Sequence, residues 1–182
     1  MKKIAGFTII EVLITVTIAG ILAALAAPGF SWLIRDTRFT TEANNMVAAF
    51  NLARSEAAKR GGVARIDSDA GTTVWGGGWT LWVDQDGNAA RAGIGTAADI
   101  TDDTETLRVG EALKSPLTLT ANGSVVSVQY QPTGVAEGRT AADALVAAPY
   151  RFDLCNGESG INGRRLTIST TGHVSVAGFA CP

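Results

Sequence analysis

The sequence predicts an α+β fold in which one long, bent N-terminal helix precedes a β-rich head. Two observations carry the prediction. An apolar run from Phe7 to Ala27 passes into an amphipathic stretch that stops at Gly61-Gly62. Beyond Gly62 the pattern changes to short alternating segments separated by turn residues. The length, 182 residues, suits one compact domain plus one extended element.

Met1 to Gly6 is a short basic segment, Met-Lys-Lys-Ile-Ala-Gly. From Phe7 to Ala27 the chain is apolar except for Glu11 and the hydroxyls of Thr8, Thr15 and Thr17. At about 1.5 Å per residue, these roughly 21 residues span about 31 Å, the thickness of a bilayer core. A conventional secretory signal has a shorter apolar region that is removed with it. Lys2 and Lys3 put the start of the run on the cytoplasmic side.

Glu11 is the residue in this run that needs a reason. A carboxylate at mid-bilayer costs about 2–3 kcal/mol, less near an end, and usually has a partner. A cut between Gly6 and Phe7 would create a free α-amine four residues before Glu11. Opposite charges attract strongly in an apolar layer, so Glu11 could neutralise such an amine on its own or a neighbouring subunit. The plainer alternative is a glutamate that snorkels to the interface.

Pro28 lacks an N–H and is expected to kink or loosen the helix without ending it. Beyond it, Phe39, Ala43, Met46, Phe50, Ala53 and Ala57 follow helical spacing on one face. That stripe is expected to dock on a head domain. Lys59 and Arg60 suit a helix C-terminus, and Gly61-Gly62 supplies a stop. The expected organisation is therefore residues 1–6 as a leader and 7–28 as the membrane half of the helix. Residues 29–60 form its amphipathic half and 61–182 the head.

Within the head, Trp79 to Val83 alternates as a strand, with Trp79 and Trp82 on opposite faces, so at least one is core. Leu117–Thr120 and Val125–Tyr130 flank Ala121-Asn122-Gly123-Ser124, a hairpin signal because Asn-Gly favours a type I′ turn. Tyr150–Cys155, Arg165–Ser169 and His173–Val176 read as further strands, the last two joined by a turn at Thr171-Gly172. Ala89–Thr106 and Ala136–Ala148 read as loops or variable insertions.

The composition narrows the chemistry. Formal net charge is −2, and removing Lys2 and Lys3 takes it to −4. Such a chain has no bulk attraction for nucleic acid or anionic lipid. The two cysteines, Cys155 and Cys181, read as one disulfide in an exported protein, or otherwise as two buried thiols. Closing about 27 residues would stabilise the fold by roughly 3–4 kcal/mol. Two cysteines and the lone His173 cannot form a closed zinc shell. Asp84, Asp86 and Asn88 have the spacing of a calcium loop, but Ala89 and Gly95 stand where an EF-hand needs Gly and Glu. No catalytic triad or phosphate-binding loop is present, so neither an enzyme nor a cofactor is expected.

The N-terminal residues Gly6-Phe7-Thr8-Ile9-Ile10-Glu11, with the apolar run to Pro28, resemble the prepilin-peptidase site of type IV pilins and type II secretion pseudopilins. Leu52 to Arg60 resembles the end of the long helix in H-type (GspH) pseudopilins and the FimT/FimU minor pilins. Gly78-Trp79, Tyr130-Gln131-Pro132-Thr133-Gly134 and Phe152-Asp153-Leu154-Cys155 resemble the same group. The resemblance implies a pilin-like fold, with the helix packed on two antiparallel β layers. It also implies cleavage after Gly6 by prepilin peptidase, methylation of Phe7, and assembly in which Glu11 meets a neighbour's amine. The implied location is the inner membrane with a periplasmic head, followed by incorporation beside other minor and major subunits.

Three functions follow from the resemblance: a minor pilin that initiates or caps a type IV pilus, an H-type pseudopilin of type II secretion, and a DNA-binding pilus-tip subunit. The C-terminal cysteine pair resembles minor pilins more than secretion pseudopilins. Some FimT-type members are associated with DNA uptake through Gly-Arg-x-Arg, but the equivalent turn here, Gly172-His173-Val174-Ser175, has neither arginine. Arg164 and Arg165, with Arg151 and Arg139, are the remaining candidates for a DNA patch. Two or three phosphate contacts would bind weakly and with strong salt dependence.

Overall fold

The computed structural model describes residues 8–84, 104–157, 160 and 162–182, with backbone alone for residues 26–33, 35, 104 and 105. The chain divides into two units, Met1–Arg38 and Phe39–Pro182. One helix, α1 (Ile9–Arg60), contributes to both. It continues through Pro28, whose side chain lies outside the described residues.

Among the described residues ten strands follow: β1 (Val63–Ser68), β2 (Trp79–Asp84), β3 (Thr104–Gly110), β4 (Thr118–Ala121), β5 (Ser127–Tyr130), β6 (Ala136–Arg139), β7 (Leu145–Val146), β8 (Tyr150–Cys155), β9 (Asn162–Ile168) and β10 (Val174–Ala180). They form a six-stranded sheet, β3-β2-β1-β5-β6-β7, and a four-stranded sheet, β10-β9-β8-β4. All pairings between neighbouring strands are antiparallel.

One core draws on the second half of α1 and on both sheets. The stripe Phe39, Ala43, Met46, Phe50, Ala53 and Ala57 is buried throughout, joined by Ala49. Alanine at four of these positions keeps the helix surface low, so backbone and sheet approach closely while few side-chain rotamers are frozen. Phe39, Met46 and Phe50 are the large residues of the stripe, and Phe50 is the one fully buried. Its ring lies 5.2 Å from Phe152 on β8 and 6.4 Å from Trp75 in the short 3₁₀ turn Trp75–Gly77. Trp75 meets Phe152 edge-on at 4.9 Å, and its Nε1 donates to the Val125 carbonyl at 3.1 Å. The indole therefore buries its apolar body while its one donor stays satisfied.

The structure corrects the sequence reading in two places. Residues Asn122 to Val125 do form a turn, with Gly123 and Ser124 both at positive φ and Val125 N–H donating to the Asn122 carbonyl. The strands on either side are not a hairpin: β4 pairs with β8 and β5 with β1 and β6. The turn passes the chain from one sheet to the other.

Ala136–Ala148 is not a plain loop but carries the β6–β7 edge of the larger sheet. A Cβ on Gly138 would stand 2.5 Å from Tyr150 Cε1. The strand is thus built around an absent side chain, which hydrophobic alternation cannot register. The expected loop at Ala89–Thr106 lies outside the described residues up to Asp103, after which β3 begins at Thr104.

Both Trp79 and Trp82 are buried, on opposite faces of β2. Trp79 covers Gly110 of β3, where an added Cβ would overlap the indole, and Arg108 stacks 5.7 Å above its ring. Trp82 Nε1 donates to Asp67 on the other face. There buried Arg65 pairs with Asp67 at 3.4 Å, donates to Ser127 Oγ at 3.1 Å and pairs with Asp143. Asp143 occupies the left-handed region at φ 58 in the β6–β7 connection. This buried charge is tolerable because it is both paired and hydrogen-bonded.

Candidate assembly interface

The first turns of α1 are capped by their own sequence. Thr8 precedes the helix, and its Oγ1 accepts from the Glu11 backbone N–H at 3.3 Å. Thr-x-x-Glu is the capping-box spacing, and it sets an acidic residue in the first turn, where the helix dipole favours negative charge. The Glu11 side chain is exposed. Gly6 and Phe7, the expected processing residues, lie outside the described residues.

The remaining polar side chains of this segment are satisfied internally. Thr15 Oγ1 donates to the Val12 carbonyl at 2.8 Å, and Thr17 Oγ1 to the Leu13 carbonyl at 2.7 Å. Back-bonding of this kind lets a hydroxyl sit in an apolar helix without an external partner. Ile9, Ile10, Val12, Leu13, Ile14, Val16, Ile18, Ile21, Leu22 and Leu25 are all exposed. Those positions run round the whole helix rather than along one stripe, which calls for an apolar environment on every side. Among the described residues no helix is long and apolar enough to cross a membrane, and the described side chains of this run end at Leu25.

In the head, three segments singled out in the sequence converge. Arg54 of α1 lies beneath two turns, Gln131–Gly134 and Ser169–Gly172. A Cβ on Gly134 would come within 3.1 Å of Arg54 Nε, and one on Gly172 within 3.3 Å of the same atom and 2.2 Å of the Gly134 carbonyl oxygen. Both glycines have positive φ, 83° and 76°. Glycine is therefore required there twice over, by backbone conformation and by space. In sequence, Leu52–Arg60 and Tyr130–Gly134 carry the resemblance and Thr171-Gly172 reads only as a turn, with no role for Arg54; spacing along the chain could not show that the two turns meet over one guanidinium.

Tyr130 is buried beside this cluster, and burial holds its hydroxyl protonated well above the ordinary tyrosine value of 10.0, with Arg54 opposing the shift. The sign follows from proton binding. Above about pH 10 the unfolded chain releases the proton while the folded chain keeps it, so stability falls as pH rises, by up to about 1.4 kcal/mol per pH unit. Tyr130→Phe should flatten this alkaline limb. Urea unfolding at about pH 9 and about pH 11 checks it; equal slopes in both proteins would show that another group titrates.

The candidate basic patch is not gathered. Arg165 is held by Asp153 through Nε–Oδ1 at 2.6 Å and Nη2–Oδ2 at 2.8 Å, and it stacks 3.8 Å from the centre of the Phe179 ring. The carboxylate raises its pKa further, so the pair is neutral overall. Arg164 alternates to the opposite face of β9. Arg139 lies in the other sheet, paired with Glu137 at 2.8 Å and Asp143 at 3.4 Å. His173 follows the Gly172 turn, and its backbone N–H donates to Ser169 Oγ.

Asp84 is buried at the end of β2, while Asp86 and Asn88 lie outside the described residues. Among the described residues no group of His, Cys, Asp and Glu is placed to hold a metal. Cys155 and Cys181 form a disulfide across a Cα–Cα distance of 5.9 Å. It lies against Gly163, where a Cβ would stand 2.6 Å from Cys181 Sγ and 2.3 Å from the Leu154 carbonyl oxygen.

Comparison with known proteins fits this architecture. The family model for type II transport protein GspH matches residues 42–172, and that for the prokaryotic N-terminal methylation motif matches residues 1–27. Crystal structures of the type IV minor pilin FimU from Pseudomonas aeruginosa share the fold. One, in space group P21, has a TM-score of 0.59 at 21% identity and covers 81% of this chain and 98% of that one. Another, in space group P65, has a TM-score of 0.55 at 21% identity, with coverages of 79% and 99%. No curated protein matches the chain.

Proposed function

The chain belongs to the family of type II transport protein GspH, and from that premise we propose that it is a minor pilin that helps initiate or cap a type IV pilus. The observation that carries this reading is the start of α1. Between Ile9 and Leu25 the helix is apolar on every face, and Glu11 is its one charged residue. Such a segment is stable in lipid or among like helices, and a single carboxylate within it selects a partner and a register.

In this reading the N-terminal half of α1 holds the precursor in the inner membrane as a single pass, with the head in the periplasm. Prepilin peptidase cuts after Gly6, Phe7 is methylated, and incorporation exchanges lipid contacts for helix–helix packing. Pro28 loosens the helix between its membrane and head-bound halves. Partners are other minor and major subunits; the chain carries no catalytic or cofactor role. A second reading, the H-type pseudopilin of type II secretion, is favoured by the description of the family itself. The separation of Arg164 from Arg165 across β9 weighs against a DNA-receptor role.

Intact-mass and N-terminal analysis of protein from cells that hold the prepilin peptidase tests this reading. The expected mature chain begins at methylated Phe7. An uncut N-terminus, or cleavage beyond Ala27, would overturn it.

A further inference from the structure

Sheet edges expose rows of backbone donors and acceptors, and proteins usually blunt them by covering, shortening, charging or bulging the edge strand. Among the described residues, three of the four edges show such devices. β4 is covered by a bridge from Val74 to Thr120, and Ala121 N–H donates to the Thr73 carbonyl at 2.8 Å. β7 is two residues long. β3 has Glu105 and Arg108 in its sequence and a break in register opposite Leu81 and Trp82. The fourth edge, β10, has none of these among the described residues. Its seven residues, Val-Ser-Val-Ala-Gly-Phe-Ala, contain no charge and no proline, and they pair with β9 in unbroken register.

The direction of its backbone groups can be assigned. Ser169 N–H donates to the directly opposite His173 carbonyl at 3.0 Å. Hydrogen-bonded pairs alternate along an antiparallel ladder, so Ser175, Ala177 and Phe179 turn their backbone groups to β9. Val174, Val176, Gly178 and Ala180 turn theirs outward. Val176 is exposed, nothing stands within 4 Å of a Cβ placed on Gly178, and the disulfide at Cys181 ties down the end of the strand.

We propose that the β10 edge receives an extended, uncharged strand from a different subunit of the same filament, hydrogen-bonded to the outward backbone groups of Val174, Val176, Gly178 and Ala180. The inference rests on the assembly role proposed above. Its occupant is a strand because alternating N–H and C=O groups at β spacing are matched by another strand's backbone. The partner is not a second copy: antiparallel self-pairing closes about a two-fold axis, whereas filament growth needs an open, head-to-tail contact.

Val176→Pro in the full chain removes one outward N–H and leaves the β9–β10 hydrogen bonds intact. Gly178→Lys puts a charge on the same edge without touching the core. Both variants should reach wild-type cellular levels with the disulfide formed, yet fall at least about tenfold in the sheared filament fraction. Wild-type incorporation of Gly178→Lys would overturn the proposal. So would a dimer of the wild-type chain in detergent that Gly178→Lys dissociates. Glu11→Ala, run in parallel, separates the two claims. If Glu11→Ala is excluded from filaments while the edge variants enter, the edge inference alone falls; if all three enter normally, the assembly reading falls with it.

Discussion

Glu11→Ala should remove the chain from filaments while leaving its head folded. In lipid, Glu11 is a liability of about 2–3 kcal/mol at mid-bilayer depth, smaller near the helix end. In the filament, its proposed partner is the α-amine made by cleavage before Phe7. Deleting one member of a buried ion pair leaves the other unpaired, typically at about 3–5 kcal/mol, which is a factor of roughly 150 to 4,000 in incorporation. The head should be indifferent, because Glu11 lies in the unit Met1–Arg38 and the core begins at Phe39.

The capping geometry at Thr8 offers a competing explanation for Glu11, and Glu11→Gln separates the two. Glutamine keeps the capping-box spacing and loses the charge. Exclusion of both variants from the sheared filament fraction, with an unchanged melting temperature, supports pairing with the amine. Normal incorporation of the glutamine variant would reduce Glu11 to a helix-capping residue.

Phe50→Ala should be the most damaging single truncation in the head. Phe50 is fully buried and joins α1 to Trp75 and to Phe152 on β8. Truncating a buried phenylalanine costs about 3–5 kcal/mol through lost burial and the cavity left behind. The neighbouring helix positions Ala49 and Ala53 are too short to fill that space, and the Trp75 indole is fixed by its bond to the Val125 carbonyl. For a domain of this size the melting temperature should fall by on the order of 10 °C. Ser55→Ala, exposed on the same helix, should stay within about 0.5 kcal/mol. A melting temperature for Phe50→Ala within about 2 °C of wild type would show that the aromatic trio is not the keystone described here.

The long helix and the stripe it buries were legible because helical periodicity is local: Phe39 to Ala57 sit on one face whatever they meet. The strands at Trp79, Tyr150 and the Thr171-Gly172 turn were legible for the same reason. Missed features had their cause elsewhere in the chain. β6 hides behind Gly138, whose role is set by the ring of Tyr150. Arg65 can be buried because Asp143 comes from a connection read as an insertion. Arg164 and Arg165 look like one basic cluster in sequence, yet strand alternation and Asp153 separate and neutralise them.

By itself the sequence determined the class of molecule: an apolar helix with one carboxylate, an amphipathic continuation, and a β head with one cysteine pair. It also determined a left-handed turn near Asn122-Gly123, because glycine tolerates positive φ regardless of context. Tertiary structure alone decided that this turn joins two sheets instead of closing a hairpin, that Arg54 sits beneath two glycine turns, and that β10 is left, among the described residues, as an undefended edge. The physical reason is range. Periodicity, capping and turn preference act over a few residues, whereas a strand's partner is chosen by contacts between segments far apart in the chain.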